Sequence, residues 1–271
     1  MFDHSKGPSM TLSLQDKIAV VTGASTGIGL AIAKRFAAEG ANVVITGRRQ
    51  KELDVAVADI GDQASGVRAD VSSLQDLDAL FQTVKQHHGR IDVLVANAGG
   101  GSMAPLGAIT EELFDQTFST NVKGVLFTVQ KALPLLADGA TVILVGSTSS
   151  IHGVPAFSVY SASKAAIRNF ARSWILDLKG RNIRINVLSP GPTKTPGLVG
   201  LVPVEHQQGL LDGFAGQIPM GRVGEPDEIG KAAVFLASDA STSWSRMREA
   251  AAWLRLARSR KSCSTRRSAP T

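Results

Sequence analysis

Six short runs rich in β-branched and apolar residues recur along the chain: KIAVVT at 17–22, NVVIT at 42–46, GVRAD at 66–70, DVLVAN at 92–97, TVILVG at 141–146 and IRINVLS at 183–189. Runs that are apolar at nearly every position, rather than at every second one, suit strands covered on both faces. The stretches between them, 27–39, 49–58, 73–88, 110–137 and 158–179, carry helical patterns. Strand and helix in strict alternation predict a doubly wound α/β fold, a parallel sheet between two helix layers, three layers in all.

The bulk numbers agree. The chain has 271 residues, 44% of them hydrophobic, with 27 glycines and only 19% charged, enough for one domain with a substantial core over 14–240. No apolar run approaches the roughly 18 residues that a membrane span needs, and the N-terminus lacks a signal-peptide layout, so a cytoplasmic protein with no membrane partner is expected. The lone cysteine, Cys263, has no partner for an internal disulfide, and the scattered histidines give no metal-ligand spacing. The net charge of +6 belongs to one end: residues 241–271 hold eight Arg/Lys against one Glu, which leaves the body close to neutral. Without a basic face on that body, no nucleic-acid partner is expected. Residues 1–13 read as a disordered leader and 241–271 as an atypical basic tail.

The first strand runs directly into TGASTGIG, which sets Gly23, Ser25, Thr26, Gly27, Ile28 and Gly29 at a strand-to-helix turn. Backbone without Cβ atoms approaches a pyrophosphate closely, and a helix beginning near Gly27 offers free N–H groups and the positive end of its dipole. This predicts a Rossmann-like dinucleotide site. The second strand ends in Gly47 with Arg48 and Arg49 after it, where an NAD-binding fold would place an acid against the ribose 2′-hydroxyl. Guanidinium groups there suit a 2′-phosphate, so NADP is expected in preference to NAD.

VYSASKAA at 159–166 contains the only tyrosine, with a lysine four positions on. At helical spacing Tyr160 and Lys164 share a face, and an ammonium beside a phenol favours the phenolate. By itself such a pair is more often a packed ring beside a solvated lysine stem; with other motifs beside it, it reads as an acid/base tuned below the ordinary phenol range.

In order, the glycine turn, ANAG at 96–99, TNVKG at 120–124, Ser147, Tyr160-x-x-x-Lys164 and SPGPTKT at 189–195, with 13 residues from serine to tyrosine, resemble the short-chain dehydrogenase/reductase family over residues 17 to about 240. The likeness is to its 3-oxoacyl carrier-protein reductase-like and glucose dehydrogenase-like members. That resemblance implies Tyr160 as the acid/base, Lys164 lowering its pKa and holding the nicotinamide ribose, Ser147 donating to the substrate oxygen and Asn121 holding a water of a proton relay. It further implies Asp70 and Val71 at the adenine, and Asn97, Ala98 and Gly99 along the cofactor. Pro190 and Gly191 then lie beside the nicotinamide, whose carboxamide is held by Thr193 and Thr195. Some of these have a second reading: Ser147 as one of several loop serines in STSS, Pro190-Gly191 as only a turn, Asn97 as a bridge between strand ends, and Asp70 as an anion at a helix N-terminus.

The implied function is an NADP-dependent interconversion of a secondary alcohol and a carbonyl, in a homo-oligomer (dimer or tetramer) paired through 110–137 and 158–179. A dinucleotide-binding protein with impaired catalysis is the alternative. The substrate stays open among 3-oxoacyl thioesters, sugars and ketones, with 196–218 reading as a lid-like segment. The pattern departs from the family at Ala96, more often Asn, and at Thr26, where NADP-using members often carry a basic residue. It departs most after AAVFLASDAS, where the family continues into a final buried strand ending in a glycine pair. Here that strand is expected to be missing or altered, with a helix at 245–258. A shifted reading frame is one origin for the change; a basic tail that binds nucleic acid or an anionic membrane is the other.

Overall fold

The computed structural model describes residues 12–241. Six strands, β1 (Ile18–Val21), β2 (Asn42–Gly47), β3 (Ala64–Arg68), β4 (Ile91–Ala96), β5 (Leu136–Val145) and β6 (Arg184–Leu188), form one parallel sheet in the order β3-β2-β1-β4-β5-β6. The inner strands are buried on both faces. Val20, Leu94 and Leu144 point into one core with Leu77, Leu80 and Ile167. Ala19, Val21, Val95 and Ile143 point into the other with Ile32, Phe36 and Leu53. Consecutive residues of one strand thus feed opposite cores, which is why these runs lack a polar alternation.

The helices are α1 (Gly27–Ala38), α2 (Gln50–Ile60), α3 (Leu74–His88), α4 (Glu111–Phe118), α5 (Gly124–Ala132), α6 (Ser158–Asp177), α7 (Pro196–Val199), α8 (Gln207–Ala215) and α9 (Pro226–Ala237). Two of these depart from the sequence expectations. The single helix expected over 110–137 is α4 and α5, joined by a π-turn at Ser119–Lys123, and the chain is already in β5 at Leu136. Pro134 accounts for the early end: Leu133 is still helical, but the proline has no N–H to donate back to the preceding turn. The other departure is α9, unforeseen in the sequence, which packs along α1 so closely that a Cβ on Gly230 would stand 2.9 Å from the Ala31 carbonyl. Asp227 accepts from Nε and Nη2 of Arg35, one carboxylate oxygen each, across the same contact.

The third strand also shifts, to 64–68 from the expected 66–70, and as the border strand of the sheet it is largely exposed rather than covered on both faces. At the other border, the guanidinium of Arg184 in β6 donates to Thr141 of β5 at 2.6 Å and to the Leu236 carbonyl near the end of α9 at 2.7 Å. The leader at 1–13 lies outside the described residues except for its last two positions. The tail from 242 onward, with the expected helix at 245–258 and the altered final strand, lies outside them entirely.

Candidate active site

β1 and β4 are neighbours in the sheet but run to opposite sides in their connections, so their carboxyl ends open a crevice. Thr22 stitches it. Its hydroxyl accepts from the N–H groups of Asn97 and Ala98 at 3.1 and 3.2 Å, drawing the β4 end against the β1 turn. Gly23 sits at φ +63, and a Cβ there would lie 2.7 Å from Ala98 Cα, so the turn has no room for a side chain. A cavity of about 590 Å³ follows the crevice, from Arg48 and Asp70 at one end to Met103 and Phe214 at the other.

Every cofactor-site residue expected from the sequence lines this cavity, from Gly23, Ser25, Thr26, Gly27, Ile28 and Gly29 through Val71, Ala98 and Gly99 to Pro190, Gly191, Thr193 and Thr195. The N-terminus of α1 faces it with no side-chain cap and no acid in its first turn, leaving its N–H groups and dipole to the cavity. Arg48 lines the far end with no ion pair among the described residues, whereas Arg49 is held by Glu52 at 2.6 Å. Asp70 gives one carboxylate oxygen to the N–H and hydroxyl of Ser72, at 2.9 and 2.7 Å, just before α3. Asn97 takes the bridging role: its amide donates to the carbonyls of Thr22 and Gly23, both at 2.9 Å. Thr193 is buried and Thr195 caps α7 by accepting the Leu198 N–H at 3.1 Å. Free helix-terminal donors midway, a guanidinium at one end and short side chains between form a cradle whose chemistry fits a dinucleotide.

At the other end Tyr160 projects from α6. Its ring lies against Phe157, centroids 4.4 Å apart, and against Gly101, where a Cβ would come within 2.5 Å of Tyr160 Cδ2. Burial raises the phenol pKa above its ordinary value, and hydrogen bonding with Ser147 pulls the other way. Lys164 is 3% exposed, donates to the Val145 carbonyl at 2.8 Å, and has its Nζ 5.6 Å from the Tyr160 ring centroid. Burial pushes that ammonium down to about 8. The expected lowering of the phenol by Lys164 is therefore corrected. In this geometry burial raises the phenol, and what opposes it is hydrogen bonding with Ser147, while the Lys164 ammonium is turned toward a carbonyl of β5 and is itself desolvated.

Asn121, from the same set, does not line the cavity. It is fully buried in the π-turn behind the wall, accepting from Gly100 N at 3.0 Å and donating to Gly100 O and Ser163 Oγ at 2.8 and 2.9 Å. An extra residue in a helix re-aims a side chain, which is a frequent use of π-turns at functional sites. Ser163 in turn donates to the Tyr160 carbonyl at 2.7 Å, so one amide ties the 97–101 loop to α6.

Sequence reasoning missed Gly101, Phe157 and Ser149. The GGG run at 99–101 and a phenylalanine three residues before Tyr160 were visible signals. The segment 196–218 supplies Leu198, Leu201 and Phe214 to the cavity from α7, the turn after it and α8, and Met103 and Val154 line it as well.

Residues 23–245 match the family model described as enoyl-(acyl carrier protein) reductase. The oxidoreductase asL5 of Sarocladium schorii is 50% identical over 231 residues, covering 84% of this chain and 91% of that protein. Among solved structures, a levodione reductase superposes with a TM-score of 0.80 at 28% identity, covering 84% of this chain and 93% of its own. A short-chain dehydrogenase/reductase described as glucose/ribitol dehydrogenase, from Brucella melitensis, gives 0.80 at 31% identity, with 86% and 93% covered.

Proposed function

The chain belongs to the short-chain dehydrogenase/reductase family of NAD(P)-dependent oxidoreductases, and from that membership we propose an NADP-dependent enzyme that interconverts a secondary alcohol and a carbonyl. The observation that carries this reading is the placing of Tyr160. Its ring is fixed between Phe157 and Gly101 at the cavity wall, with Ser147 beside its hydroxyl and Lys164 buried behind. The bound dinucleotide supplies the hydride. In the reducing direction Tyr160 gives its phenolic proton to the carbonyl oxygen while Ser147 donates a hydrogen bond to it, both meeting the charge that develops there. Lys164 holds the nicotinamide ribose and keeps a positive charge near the phenolate left behind. In the oxidising direction the same proton returns to Tyr160. Arg48, free of an ion pair among the described residues, supports a 2′-phosphate at the far end.

Met103, Val154, Leu198, Leu201 and Phe214 line the same cavity as Tyr160, which supports an apolar, uncharged carbonyl substrate. Exposed Phe114 on α4 and Ile175 and Leu176 on α6 support pairing of copies through those helices, readable by size-exclusion chromatography with light scattering. The proposed setting is the cytoplasm, with no helix of the described residues long and apolar enough to cross a membrane.

The test is Tyr160→Phe assayed with a panel of ketones, NADPH and NADH in parallel. Loss of the proton donor is expected to lower kcat by about 10²–10⁴-fold while dinucleotide binding persists. Turnover by the variant at the rate of the parent would overturn the assignment.

A further inference from the structure

Ser149 touches Ser147 twice. Its backbone N–H donates to Ser147 Oγ at 3.2 Å and its hydroxyl lies 2.9 Å from the same oxygen. Ser149 is buried, 9% exposed, and that oxygen is the one partner of its hydroxyl among the described residues. Ser147 sits in the short turn after β5, a 3₁₀ turn at Thr148–Ser150, whose geometry brings the residue two positions on back over it.

A serine hydroxyl has one proton to give and two lone pairs to receive. Between Ser147, Ser149 and Tyr160 there are therefore limited ways to place the protons. If Ser147 donated to Ser149, the Ser149 proton would have no acceptor among the described residues, and the Ser147 oxygen would still take the Ser149 N–H. If Ser149 donates to Ser147, its own proton is satisfied and the Ser147 proton is left to the cavity that Ser147 lines. The N–H of Ser149 fills the second lone pair, which leaves the Ser147 proton aimed away from the turn and into the cavity.

We propose that Ser149 is a positioning residue: by donating twice to Ser147 Oγ it holds the Ser147 hydroxyl as a hydrogen-bond donor toward the reacting oxygen. The proposal rests on the role given to Ser147 above. It makes Ser149 necessary for catalysis without contact with the atoms that change. A hydroxyl free to rotate would spend part of its time as an acceptor or aimed at water, where it does nothing for a developing oxyanion.

The sole tyrosine allows a test that is independent of turnover, since near-ultraviolet absorbance reports phenolate formation at Tyr160 alone. Ser147 bonding lowers the phenol pKa, so Ser147→Ala is expected to titrate at higher pH than the parent. Ser149→Ala should shift the same way by a smaller amount, and Ser149→Thr, which keeps the donor, should titrate as the parent does. In turnover, Ser149→Ala is expected to lose about 10-fold in kcat with little change in KM, short of the roughly 10²–10³-fold for a donor removed outright. The double variant Ser147→Ala/Ser149→Ala should match Ser147→Ala alone, because Ser149 acts through Ser147.

A Ser149→Ala protein that titrates and turns over like the parent overturns the proposal, as does a double variant worse than Ser147→Ala by the full single effect. Should Ser149→Ala fail to fold, Ser149→Thr against Ser149→Val, alike in shape, makes the same comparison. An unaltered turnover in Ser147→Ala would instead sink the role of Ser147, while the titrations still decide whether Ser149 controls its proton.

Discussion

The side-chain amide of Asn121 grips both backbone groups of Gly100, accepting from its N–H at 3.0 Å and donating to its carbonyl at 2.8 Å. With its second amide proton on Ser163, it clamps the loop after β4 to the helix that carries Tyr160 and Lys164.

Asn121→Ala removes three hydrogen bonds from a fully buried site and strands polar partners there. A loss of about 2–4 kcal/mol is expected from such unpaired groups, read as a lower urea midpoint. Because the clamp also sets the loop against Tyr160, kcat should fall with it. A midpoint equal to the parent's contradicts the clamp.

Gly101→Ala places a methyl within 2.5 Å of the Tyr160 ring, and neither can yield without moving the ring or the loop. A displacement of the reacting group by about 1 Å costs on the order of 10²-fold in rate, so kcat should drop by about that much while dinucleotide affinity changes little. Kinetics and fluorescence titration with the dinucleotide separate the two. Full activity in this variant means that Tyr160 is not held where it reacts.

Lys164 makes stability depend on pH with a definite sign. Its pKa is lowered from 10.5 in the unfolded chain to about 8 by burial. Below about 8 both states hold the proton and the full cost of the buried charge is present. Between about 8 and 10.5 the unfolded chain binds more protons, so the folded state gains stability as pH rises. Denaturant unfolding from pH 7 to 10.5 should show that rise in the parent and not in Lys164→Met. Carbonyl reduction should decline over the same interval as the ammonium discharges.

Arg48→Gln leaves the fold untouched because Arg48 is exposed, and removes the cation proposed to face a 2′-phosphate. Hydrogen bonds to a charged group contribute about 1.5–3 kcal/mol, which predicts a rise of roughly 10- to 100-fold in KM for NADPH. KM for NADH should stay within about twofold, within the additivity of distant effects. Equal changes for both cofactors would remove the stated ground for preferring NADP.

Much of the site was legible as ordered motifs because its backbone demands are local. A strand running into a glycine turn, and Tyr160 and Lys164 one helical turn apart, are events within a few residues of chain. The roles that shifted are those settled by distant partners. Asn97 reads equally as a cofactor contact or a bridge until the carbonyls of Thr22 and Gly23, some 75 and 74 positions away, are seen to take its amide. The third strand reads as covered until its place at the border of the sheet is known.

By itself the sequence determined the doubly wound order of elements and put phenol and ammonium on one face of α6, since periodicity and spacing act through the chain. Only the tertiary structure decided the electrostatics between them. Desolvation depends on what packs around a group from every side, and here Lys164 donates to a β5 carbonyl 19 positions away while the Gly101 loop after β4 closes on Tyr160, contacts that no local spacing specifies.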